Sequence, residues 1–183
     1  MTPPATASLT LPVGERDHVR GPATAPVTLV EYGDYECSSC GEAYPVVEEL
    51  RRALGDRLRF VFRNFPLAVM HPHAQSAAEA AEAAGAHNKF WEMHDTLYTH
   101  QDALDGAHLI SYAVALGLDP TSLRRDLDAH SYAERVREDF LSGVKSGVNG
   151  TPTFFIGGIR YNGLPDFDSL LAILTNVTDE KRR

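Results

Sequence analysis

VTLVEYGDYECSSCGEAYPVVEELRRAL, residues 27–54, changes its hydrophobic period at a pair of cysteines. Up to Tyr35 the stretch is dense in β-branched and aromatic residues, the composition of a buried strand. From Ser38 onward, Ala43, Val46, Val47, Leu50 and Leu54 recur at helical spacing, with Glu48, Glu49, Arg51 and Arg52 facing outward. A strand over 27–35 and a helix over 38–54, stopped by Gly55, are therefore predicted, with Cys37 and Cys40 at the junction.

Outward from that stretch, RLRFVFRNF (57–65) alternates, with Leu58, Phe60 and Phe62 on one face, so the opening unit reads strand–helix–strand. Beyond Pro66 the character changes. Residues 74–86 are Ala- and Glu-rich and strongly helix-prone. Further helical stretches follow at about 87–100, 107–117 and 121–130 and from Ser131 towards Val148, separated by Gly85, Gly106, Gly117 and Pro120. TFFIGGIRYNG (153–163) reads as a hairpin turning on Gly157–Gly158, and a last helix runs from Pro165 to about Asn176. The predicted organisation is an extended lead-in over 1–20, poorly ordered at its start. An α/β domain over 21–66 and 143–178 follows, with a helical domain inserted at 67–142.

Composition narrows the functional classes. The 183 residues, 43% hydrophobic and 23% charged, suffice for a full core without structural disulfides. A net charge of −8 with no Lys/Arg cluster repels phosphate backbones, which argues against nucleic-acid partners. No apolar run approaches the roughly 20 residues that cross a bilayer. The opening MTPPATASLTLPVGERDHVRG lacks the apolar core of a secretory signal, so a cytoplasmic location is expected unless a native leader is missing from this sequence. No dimerisation segment stands out, and a monomer is expected.

The two cysteines lie too close in sequence to staple distant parts of a fold, which leaves redox chemistry or metal binding. The first turn of a helix carries unpaired N–H groups and a partial positive charge, and a cysteine placed there is stabilised as thiolate. Cys37 is the expected nucleophile. Cys40, one turn on, is placed to resolve a mixed disulfide, and Ser38 and Ser39 offer small hydroxyl side chains toward the thiolate and its partner. His71, His73, His87, His94 and His100 crowd the helical block, but no pair shows zinc-finger spacing, so no metal is predicted.

VEYGDYECSSCGEAYPVVEEL resembles the active-site strand and helix of the thioredoxin superfamily, in particular its DsbA-like branch. Pro45 matches the kinking proline of that helix, and Gly150-Thr151-Pro152-Thr153 is similar to the loop whose cis-proline faces the cysteines. Glu31 matches the acidic residue beneath the active site, and HPHAQSAAEAAEAAGAHNKFWEMHDTLYTHQ resembles the helical insertion of bacterial members. The likeness covers residues 18–176.

It implies a thioredoxin fold with an inserted α-helical domain, and a thiol–disulfide oxidoreductase whose only redox group is the dithiol, without bound cofactor. Protein thiols and disulfides would be its substrates, and glutathione or a thioredoxin-like reductant its electron partner. Glu31 would shuttle the Cys40 proton from a buried position, and Thr151–Pro152 would present backbone to an extended client strand. One departure stands out. The dipeptide between the cysteines is Ser-Ser, where DsbA-type members carry Pro and often an aromatic or His, which implies a less stabilised thiolate. Two other readings remain open at this point: a glutathione-linked transferase or isomerase of the same fold, against which the intact cysteine pair counts, and a redox-sensing client-binding chaperone.

Overall fold

A computed structural model describes residues 7–180, with side chains through 177. In chain order the elements are β1 (His18–Arg20), β2 (Val27–Gly33), α1 (Ser38–Leu54), β3 (Leu58–Asn64), α2 (Ala74–Gly85), α3 (Phe90–Thr99), α4 (Gly106–Ala115), α5 (Pro120–Asp128), α6 (Ala133–Lys145), β4 (Thr153–Ile156), β5 (Ile159–Tyr161) and α7 (Phe167–Glu180). The thioredoxin-type α/β fold expected from the sequence is present: one five-stranded sheet in the order β1-β3-β2-β4-β5, accompanied by helices. The chain forms two compact units. A sheet unit comprises the described residues up to Tyr32, Glu42–Arg63 and those from Ser142 on. A helical unit comprises Gly33–Gly41 and Asn64–Leu141.

In the sheet unit, β2 is buried along nearly its whole length, as its near-continuous apolar composition requires of an interior strand. It pairs antiparallel with β4, Glu31 opposite Phe154 and Tyr32 opposite Thr153. β4 and β5 form the expected hairpin on Gly157–Gly158, whose φ values of +57° and +85° suit a two-residue turn that side chains with a Cβ resist. Arg63 on β3 is wholly buried and uses all five guanidinium donors. They reach both Asp17 oxygens at 2.8 and 3.0 Å, the carbonyls of Leu11 and Pro12, and the Tyr32 hydroxyl at 2.9 Å.

In the helical unit, α2 touches α3, α4 and α5. Its alanines, buried at 74, 77, 78, 80, 81, 83 and 84, let neighbouring helices approach on several sides. The two glutamates that this helix buries are paired. Glu79 meets His130 Nδ1 at 3.1 Å, and Glu82 accepts from Asn64 Nδ2 at 2.7 Å.

Several expectations are corrected. The lead-in over 1–20 is built into the sheet from Ser8 onward: Ser8 bridges Ile159, and His18–Arg20 form edge strand β1 against β3, with His18 opposite Phe62. The cause is Arg63, whose buried charge needs Asp17 and two lead-in carbonyls as acceptors. The expected disorder at the very start lies outside the described residues. β2 ends at Gly33 rather than Tyr35, because Asp34 starts a turn that Cys37 N–H closes on the Asp34 carbonyl. Gly33–Gly41, expected with the sheet, groups with the helices. The middle helices are each shorter than their patterns suggested, and α7 runs on to Glu180.

Candidate active site

The turn Asp34–Cys37 is fixed by hydrogen bonds before any chemistry is considered. Cys37 N–H donates to Asp34 O at 3.2 Å, and Cys37 O accepts from Gly41 N–H at 3.1 Å, the first helical bond of α1. Cys37 therefore stands immediately ahead of the helix and Cys40 within its first turn, where unpaired N–H groups concentrate positive potential. Cys37 keeps 8% of its surface exposed and Cys40 none, while Ser38 and Ser39 lie in solvent. Cys37 is thus the more accessible of the two, the asymmetry expected of an attacking and a resolving thiol.

Three further side chains hold this turn. Gln101 Nε2 donates to Tyr35 O at 2.8 Å and to Cys37 O at 2.9 Å. The space for Gln101 exists because residue 41 is glycine; a Cβ there would overlap Gln101 Oε1. Tyr35, buried, has its hydroxyl 3.0 Å from His94 Nδ1 and its ring 4.9 Å from that of Tyr98. Phe90, Met93, His94, Leu97 and Tyr98 are the buried residues of α3, and Trp91 is half-buried.

Asp34 is the third. Its side chain is fully buried and accepts from Glu36 N–H, Leu67 N–H and the Nδ1–H of His71, each at 2.8 Å. Next to it, Glu36 Oε2 accepts from His73 N–H at 2.6 Å. The Asp34 hydrogen bond raises the pKa of His71 above its ordinary 6.5. Partial burial opposes that rise, and the negative charges of Asp34, Cys37 and Glu36 add to it.

The remaining expected residues belong to the sheet unit. Glu31 is 2% exposed on β2. Thr151 and Pro152, joined by a cis peptide bond, lead into β4, the strand paired with that of Glu31, and Thr153 Oγ1 closes the loop on Gly150 O at 2.7 Å. Cys37, Ser38, Ser39 and Cys40 are thus gathered on one turn of the helical unit, and Glu31, Thr151 and Pro152 on two paired strands of the sheet unit. Among the described residues, no group of three or more His, Cys, Asp or Glu side chains is arranged to hold a metal ion.

Sequence reasoning missed Asp34, His71, Gln101 and Gly41. His71 was visible only as one of several histidines. Asp34 carried a faint local signal, an acceptor side chain at a strand-to-helix turn. Gln101 had none.

Comparison with known proteins supplies the context. A family model described as thioredoxin matches residues 14–176. BdbD from Bacillus subtilis in its oxidised form superimposes with a TM-score of 0.83 over 95% of this chain and 97% of its own, at 24% identity. A thioredoxin-like oxidoreductase from Silicibacter pomeroyi DSS-3 gives a TM-score of 0.78 and 27% identity over 92% and 94%. A protein named Na(+)/H(+) antiporter NhaA 1 from Salinispora arenicola is 49% identical over 163 residues, which are 89% of this chain and 25% of that protein. The chain spans about a quarter of the length of the curated relatives it matches. No helix among the described residues is long and apolar enough to cross a membrane.

Proposed function

We propose a function from one premise: this chain belongs to the thioredoxin family and has its DsbA-like fold, a thioredoxin sheet interrupted by helices. It acts as a thiol–disulfide oxidoreductase on protein thiols and disulfides. The observation that carries this reading is the pair itself, Cys37 ahead of α1 with 8% of its surface exposed and Cys40 wholly buried in the first turn. The antiporter name belongs to relatives of which this chain matches one quarter, and the activity proposed is that of the shared segment.

In the reducing direction, Cys37 thiolate attacks one sulfur of a client disulfide. A Cys37–client mixed disulfide forms and the client's other sulfur leaves as thiolate. Cys40, deprotonated, then attacks the Cys37 sulfur. The Cys37–Cys40 disulfide forms and the second client sulfur departs, so the client gains two electrons and the chain loses two. Glutathione or a thioredoxin-like dithiol restores the reduced pair, and the oxidising direction is the same sequence reversed. Glu31, buried on β2, is assigned the Cys40 proton, and Thr151–Pro152 the backbone of an extended client. Ser38 and Ser39, both exposed, line the approach to Cys37.

The test is dithiol-driven insulin reduction. Cys37→Ser should abolish turnover, and Cys40→Ser should accumulate mixed disulfide through Cys37. A Cys37→Ser protein that turns over like wild type refutes the assignment.

A further inference from the structure

We propose that His71, held by Asp34, is a positioning residue that keeps a positive charge near Cys37 and supplies thiolate stabilisation that the Ser38-Ser39 dipeptide does not. The proposal rests on the oxidoreductase reading and names a residue outside the cysteine motif that tunes it.

The placement follows from one buried carboxylate. Asp34 O accepts Cys37 N–H, and Asp34 Oδ2 accepts His71 Nδ1–H at 2.8 Å, so the imidazole and the backbone that carries the Cys37 thiol hang from the same residue. Leu67 N–H on that same oxygen fixes the chain that carries His71. With Nδ1–H committed to Asp34, the ring takes up and releases its proton at Nε2. The groups whose charge bears on it are Asp34, Glu36 and Cys37, and all three favour the imidazolium. Attraction between two charges is mutual: if the Cys37 thiolate favours the imidazolium, the imidazolium favours the thiolate by the same free energy. The ring is mostly sheltered, with 21% of the side chain exposed, so water screens this pair less than it would a surface pair.

The experiment uses reduced full-length protein in a Cys40→Ser background, where Cys37 is the one remaining thiol. Thiolate ultraviolet absorbance and iodoacetamide alkylation are followed against pH. His71→Asn keeps an N–H for Asp34 but carries no charge. It should move the onset of thiolate absorbance to higher pH and slow alkylation near pH 6 by roughly tenfold. His71→Lys restores a charge and should recover much of that rate. Coincident wild-type and His71→Asn profiles overturn the proposal. So does a His71→Lys protein as slow as His71→Asn, which would mark a purely structural role.

A mutation-free arm follows the His71 ring by NMR in the native sequence. Capping Cys37 with iodoacetamide removes the thiolate charge and should lower the pH at which His71 titrates; an unmoved titration also overturns the proposal. Neither arm measures turnover. A failure of the oxidoreductase reading appears instead as wild-type protein without Cys37-dependent insulin reduction.

Discussion

Each unit of this protein is anchored by an aspartate that captures one basic side chain, and the two anchors are built for different ends. In the sheet unit, Asp17 and Arg63 are both fully buried, and the guanidinium has no donor left unused. Burial alone would push Asp17 upward, but the Arg63 hydrogen bond, the Gly14 N–H and the neighbouring arginine charges outweigh it and hold the carboxyl below 3.8. Burial likewise works against the Arg63 charge, and Asp17 and Tyr32 more than restore it. In the helical unit the aspartate is again buried, but its partner is a titratable imidazole with a partly exposed edge. A cation that cannot lose its proton makes a structural pin. One that can makes a device responsive to its surroundings.

The sharpest way to break the comparison is Arg63→Met. Removing one member of a buried pair strands the other, at a cost of about 3–5 kcal/mol. The lead-in carbonyls and Tyr32 lose their donor as well. Chemical denaturation should show a large fall in midpoint, with residues 8–20 losing protection from hydrogen exchange; a fall of less than about 1 kcal/mol would demote the anchor.

Asp34→Ala comes next. Three N–H groups lose their acceptor, for about 2–3 kcal/mol in denaturant stability. Cys37 alkylation should slow along with it. Lost stability with unchanged alkylation would separate the fold of the turn from its reactivity.

The smallest effect is in pH dependence, where the two anchors fail at opposite ends. His71 has a raised folded pKa, so its contribution is fully present below 6.5 and is lost as pH rises through the raised value. Asp17 has a lowered folded pKa, so its contribution is present above 3.8 and is lost as pH falls through the lowered value. Denaturant midpoints against pH should show both slopes in wild type, and His71→Asn should erase only the one on the alkaline side.

The parts of the fold legible in the sequence are those whose information is local. The Val27–Gly33 strand, the 38–54 helix and the Gly157–Gly158 hairpin are each written in period and turn chemistry within a single stretch. β1 is not: HVR has three residues and no period, and it becomes a strand because β3 offers an edge and Arg63 fastens the preceding chain. The candidate site divides the same way. The cysteines were legible from spacing and from the strand-to-helix junction. His71 and Gln101 come from loops with no pattern of their own, and their place is decided by which buried acceptors need a donor.

Gln101 carries a further consequence. Its amide gives both hydrogens to peptide oxygens, those of Tyr35 and Cys37, and these bonds carry no charge to be gained or lost. Whether Cys37 is thiol, thiolate, mixed disulfide or joined to Cys40, the oxygens that Gln101 grips are the same. The turn thus has two attendants of opposite temperament: an imidazole that answers to acidity, and an amide indifferent to both acidity and oxidation. The amide gives the sulfur the same backbone address at every stage of the cycle.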